Sequence, residues 1–177
     1  MKLNIRQTVH AGFLTGLSIV LTRLVATIMI GNFVRLSFGA IPIYIAGLLF
    51  GPAVGGLVGG VADGLGFFVN NFGAAFTPHI FVASVLRGII PPLVVRAVGN
   101  NGRNWLLKVS VAVLLTEIVS SLIFTTWGLS WLYNTPIIAM LPGRIISTAF
   151  LVPIYTTITY MLTVKLRYFV SSYSVSS

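Results

Sequence analysis

Three observations predict an all-α integral membrane protein with six transmembrane helices and cytoplasmic N and C termini. Of the 177 residues, 56% are hydrophobic and only 7% are charged, with a mean hydropathy of +1.01. Soluble domains usually carry about 25% charged residues. Apolar runs near membrane length recur along the chain, and a spanning helix needs about 17–25 such residues. Lysine and arginine collect on alternate connections, as the positive-inside rule requires of an even number of spans.

The first predicted helix covers residues 8–30 and follows Lys2 and Arg6. Its basic start and apolar run resemble a signal peptide. Arg23 inside the run, and the want of a small-residue cleavage site, favour a retained helix. The second helix, 37–50, is short and is expected to be tilted or only partly spanning. "FGPA" then leaves room only for a tight turn before the third helix, 52–69. Two interleaved ladders, Gly51-Gly55-Gly59 and Gly56-Gly60-Gly64, give that helix surfaces that another backbone can approach closely. The fourth helix, 79–98, carries Pro91-Pro92, which predicts a kink. The fifth and sixth cover 105–126 and 136–164, and "LPGRII" is expected to bend the sixth near Arg144. Longer loops are expected at 31–36, 70–78 and 127–135, and residues 1–177 read as one domain.

Arg96, Arg103 and Lys108 surround the connection between helices four and five, and Lys165 and Arg167 follow helix six. Loops 70–78 and 127–135 contain no lysine or arginine, and 31–36 contains only Arg35. This asymmetry places both termini in the cytoplasm. It also accounts for the net charge of +9, because no basic patch alternates with exposed aromatics in the manner of a nucleic-acid interface.

The ionisable residues inside the spans are Arg23, Asp63, Arg87, Glu117 and Arg144, with Arg35 at the outer edge. At 1.5 Å per residue they lie about 9–14 Å below the outer boundary, on five different helices. A single bundle could therefore point them into one cavity. Internal pairing accounts for part of this layer. The three buried arginines and Arg35 face two carboxylates, however, leaving two positive charges unmatched. An unpaired guanidinium in a dry bundle costs several kcal/mol and is too basic to escape by losing its proton. Either water fills an outward-open cavity or an anion supplies the charge, and both describe a binding pocket.

Above this layer, "NNFGAAFTPH" and "WGLSWLYNTP" supply Asn70, Phe72, Phe76, His79, Trp127, Trp131 and Tyr133. These aromatics suit an interfacial belt and equally suit stacking on a flat ring. Arginines match carboxylates, and a carboxylate acceptor matches a heterocycle with adjacent N–H donors. An aromatic, anionic, water-soluble ligand satisfies all three elements. No phosphate-binding "GxxxxGK", metal cluster or nucleophile elbow occurs, and there is no cysteine. The chain therefore reads as a binder with no cofactor and no enzymatic chemistry of its own.

The stretch "VRLSFGAIPIYIAGLLFGPAVGGLVGGVADGLGFFV", followed by "SVLRGIIPPL", resembles the substrate-binding S components of energy-coupling factor vitamin transporters, most closely the folate-specific branch. The resemblance implies a six-helix protein of the bacterial plasma membrane that holds a vitamin in an outward-side pocket. Such proteins dock to a transmembrane coupling protein, the T component, and a pair of ATPases that hydrolyse ATP. Docking in that family uses small residues of the first helix, which here correspond to Ala11 and Thr15 beside Gly12 and Gly16. For folate, Asp63 would meet the pterin amino and ring N–H groups. Arg23, Arg35, Arg87 or Arg144 would meet its acidic tail or carbonyls. Two alternatives stand beside this reading: an S component for pantothenate or hydroxymethylpyrimidine, and a structural membrane subunit or small channel whose charges pair only internally.

Overall fold

The computed structural model describes residues 5–25, 27–30, 34–70, 76–99 and 105–174. The chain enters as α1 (Ile5–Ile19) and continues without a break into a π-helical segment, π1 (Val20–Val25). A two-stranded antiparallel hairpin follows, β1 (Thr27–Ile30) with β2 (Val34–Ser37), in which Met29 pairs with Arg35. The first helix therefore stops short of the expected residue 30. The β-branched Thr27, Ile28 and Ile30 favour a pleated ribbon over another helical turn.

Next come α2 (Ala40–Phe50), α3 (Pro52–Val69) and α4 (Pro78–Ala97). A long helical run then joins α5 (Trp105–Glu117), a second π segment π2 (Ile118–Thr125) and α6 (Thr126–Tyr133), and α7 (Ile137–Ser174) completes the described chain. Among the described residues, four helical stretches are long and apolar enough to cross a membrane: Pro52–Val69, Pro78–Ala97, Trp105–Tyr133 and Ile137–Leu166. The expected loop at 127–135 is corrected here, since Trp127, Trp131 and Tyr133 belong to α6. The chain turns only at Asn134, whose left-handed φ of 49° ends the helix ahead of Pro136.

At 11 residues, α2 reaches about 16 Å, half a hydrocarbon core. Every residue from Ala40 to Leu48 is buried, as befits a helix that is apolar all round and enclosed by its neighbours. Ile43, Tyr44 and Ile45 form a core with Leu14 of α1, Val54 and Val58 of α3, Val109 and Val113 of α5, and Leu151 and Tyr155 of α7. On α3, by contrast, Leu57, Val61, Leu65 and Phe68 are exposed at helical spacing, a stripe suited to lipid.

The glycine ladders do pack helices together. A Cβ on Gly55 or Gly47 would collide with the Gly88 carbonyl, and one on Gly59 with the Ser84 carbonyl, so α2, α3 and α4 meet backbone to backbone. The second ladder meets side chains of α4 instead: Ile89 against Gly56, Val85 and Phe81 against Gly60, Phe81 against Gly64. Helix α4 passes through Pro91 and Pro92 without ending. Proline 92 has no N–H to offer the Gly88 carbonyl, and that same carbonyl faces Gly47 and Gly55. Close glycine contacts of this kind favour Cα–H···O bonding.

Candidate functional site

Arg23, Asp63, Arg87, Glu117 and Arg144, each from a different helical run, form two ion pairs with Arg144 near the second. Arg23, in π1, places Nη2 3.2 Å from Asp63 Oδ1 of α3. Its Nη1 donates to the Asn70 carbonyl at 2.8 Å, and Asn70 Nδ2 donates back to the Arg23 carbonyl at 3.4 Å. One guanidinium therefore links π1, Asp63 and the end of α3. Asp63 stands four residues beyond Gly59, on the same stripe as Gly55 and Gly59, so the face that admits α4 also delivers the carboxylate inward.

Glu117, only 2% exposed, ends α5 where the π segment begins. Its Oε1 lies 3.5 Å from Arg87 Nε and accepts a short hydrogen bond from Tyr44 Oη. The Tyr44 ring sits edge-on to Tyr155 at 5.9 Å, and Tyr155 Oη donates to the Ser37 carbonyl at 2.5 Å. A buried chain of contacts thus runs from α4 through α5, α2 and α7 to the hairpin. Arg87 retains 24% of its side-chain exposure, against 9% for Arg23 and 15% for Asp63. It is the most accessible member of the two pairs.

Arg144 completes the layer and differs from the rest. It is 8% exposed and lies within electrostatic reach of Arg87 and Glu117. The only hydrogen bonds of its side chain among the described residues run from Nη1 to the Ser121 carbonyl at 3.4 Å and to Ser121 Oγ at 3.5 Å. Its Nε has no acceptor there. Both acids of the chain are taken, one by Arg23 and one by Arg87. Among the described residues Arg144 is therefore a buried cation with no carboxylate at salt-bridge distance. Two π segments adjoin this layer, one holding Arg23 and one following Glu117. Such interruptions of regular hydrogen bonding occur frequently at functional sites.

The remaining candidates divide. His79, at the start of α4, has its ring 4.7 Å from that of Trp127 and 6.4 Å from that of Trp131, tilted to both, and its Nδ1 is buried with no hydrogen-bond partner among the described residues. Gly128 makes the approach possible, because a Cβ there would press on His79. Trp131 and Tyr133 are largely exposed, at 65% and 47%. The Arg35 side chain and Phe72 lie outside the described residues. On α1, Gly12 and Gly16 face open space with the exposed Val9 and Phe13 beside them, whereas Ala11 and Thr15 are half-buried and joined by a Thr15 Oγ1 bond to the Ala11 carbonyl. Sequence reasoning passed over Tyr44, Tyr155 and Ser121. The tyrosine tip within the apolar runs "IPIYIAG" and "LVPIY" was the available signal, since a buried tyrosine hydroxyl needs a partner.

Membrane-length helices around a layer of buried charge, with one cation outside the ion pairs, fit a membrane-embedded protein with a polar binding site. A family model described as "ECF-type riboflavin transporter, S component" matches residues 2–168, and the chain belongs to that family. This is a transporter family and not an enzyme family, and the chain is a multi-pass protein of the plasma membrane. It is similar to "Folate transporter FolT" of Clostridium novyi (strain NT), with 27% identity over 155 residues covering 86% of this chain and 84% of the relative. Among solved structures it is similar to FolT bound with folic acid, with a TM-score of 0.73, 25% identity, and coverage of 92% and 95% of the two chains. It shares its fold with the S component for biotin of an ECF-type ABC transporter, with a TM-score of 0.71, 18% identity, and coverage of 94% and 95%.

Proposed function

We propose that this chain is the folate-binding S component of an ATP-driven importer. It would capture the vitamin from outside and deliver it by docking to a T component and two ATPase subunits. The observation that carries the ligand class is Arg144, a buried guanidinium that the chain's own acids leave unmatched. A folate carboxylate supplies the missing charge, and charge-assisted hydrogen bonds are the strong ones. Asp63, held at Oδ1 by Arg23, is the acceptor suited to the pterin amino and ring N–H groups. Arg87, the most open of the paired arginines, suits a ring carbonyl. The exposed Gly12 and Gly16 stripe suits close approach of a T-component helix.

Riboflavin is the second reading, favoured by the description of the matching family model. Its neutral ring system would leave Arg144 without a counter-ion. Thermal unfolding of the detergent-purified protein with folate, riboflavin and pantothenate separates the readings. A ligand at one hundred times its dissociation constant stabilises the fold by about 2.7 kcal/mol. Folate is expected to do so and riboflavin is not; the reverse result would reassign the ligand. Arg144→Met is expected to weaken folate binding by about 1.5–3 kcal/mol, the value of a hydrogen bond to a charged group. Equal folate affinity in that variant would remove Arg144 from the site.

A further inference from the structure

The charged layer leaves unexplained a cavity of about 260 Å³ at the opposite end of the helices, between α2, α4 and α5. Leu48, Leu49, Phe50 and Val95 give it apolar walls, and Arg96 and Trp105 bring a guanidinium and an indole. Gly51, at the α2–α3 turn, has a φ of +94°, which only glycine adopts readily. Its missing side chain leaves Arg96 Nη2 3.7 Å from where a Cβ would stand. The α3 N-terminus begins at this turn with no side-chain cap. Lys108, close by in sequence, is committed elsewhere, bonding through Nζ to the Gly99 carbonyl.

We propose that this cavity seats the phosphate head and first chain carbons of an anionic phospholipid from the cytoplasmic leaflet. The positive-inside pattern puts this end in the cytoplasm, where the leaflet is anionic and basic pockets between helices bind lipid headgroups. The chain has only two acids, and both are in the ion-pair layer. A zwitterionic head would therefore bring an ammonium group to a cavity that offers it no carboxylate. A free phosphate could reach Arg96 but would leave the leucine, phenylalanine and valine walls uncovered. Trp105 fits an interfacial position, with one apolar face and one N–H edge.

Tryptophan quenching by chain-brominated lipids tests the site, in a Trp127→Phe/Trp131→Phe variant whose only tryptophan is Trp105. Brominated phosphatidylglycerol should quench Trp105 at least about twofold more than brominated phosphatidylcholine at equal mole fraction, the preference expected of a local basic site. Arg96→Gln should erase that difference and Arg96→Lys should keep it, with folate stabilisation unchanged in both. Native mass spectrometry of the unaltered chain gives a second readout, in which phosphatidylglycerol adducts should outlast phosphatidylcholine adducts. Equal quenching by the two lipids, or a preference that survives Arg96→Gln, overturns the proposal. Loss of the preference in excess inorganic phosphate or glycerol 3-phosphate would assign the cavity to a soluble anion and overturn it as well.

Discussion

The two halves of α3 use one stripe for opposite purposes. At Gly55 and Gly59 the stripe carries no side chain, and the α4 backbone closes directly on it. One turn later the same stripe carries Asp63, which faces the Arg23 guanidinium. The first half is dry, apolar and held by shape. The second is polar, held by charge, and connected through Arg23, Arg87, Glu117 and Arg144 to four other helical runs. Shape complementarity tolerates no added atom, whereas a charge layer tolerates no lost partner. The two regions should therefore fail under opposite kinds of substitution.

The largest effect is expected in the charged half. Glu117→Ala would strand Arg87 and the Tyr44 hydroxyl, and breaking a buried pair from one side costs about 3–5 kcal/mol. Thermal unfolding of the purified variant should show a large loss, and a fall under 1 kcal/mol would mean that water already solvates Arg87. In the glycine half, Gly55→Ala would drive a methyl group into the Gly88 carbonyl, and overpacking of this kind costs about 1–3 kcal/mol. Chemical unfolding in mild detergent checks it; a neutral result would show that α3 and α4 separate more freely than their contact suggests. The smallest effect is expected at Gly12, where a Cβ meets nothing within 4 Å. Gly12→Leu should leave the isolated protein within about 0.5 kcal/mol of the parent while impairing assembly with the proposed coupling and ATPase subunits, read by co-purification. Intact assembly would move the docking surface to another face.

Much of this was readable before the structure. The expected depth of the five ionisable residues is simple arithmetic on helix rise, which allowed them to gather without requiring it. The glycine ladders and the short α2 were equally plain, because small residues at four-residue spacing and an 11-residue apolar run each have few physical uses. What escaped notice depends on partners distant in the chain. Nothing local tells that Tyr44 reaches Glu117, 73 positions away, or that Tyr155 reaches the Ser37 carbonyl, 118 positions away. The helical 126–133 segment was missed because Gly128 and Ser130 imitate loop composition. Gly128 is there so that His79 can approach. The expected two-charge surplus stands at one among the described residues, Arg144, with the Arg35 side chain outside them.

Because Gly55 and Gly59 touch α4 through main-chain atoms, the height of Asp63 above that contact is measured in peptide units. No compressible side chain intervenes. Leucines and valines on the lipid side of α3 can be exchanged for other greasy residues without sliding this ruler. A bilayer of different thickness would press on those outer residues first, leaving the acid opposite its guanidinium.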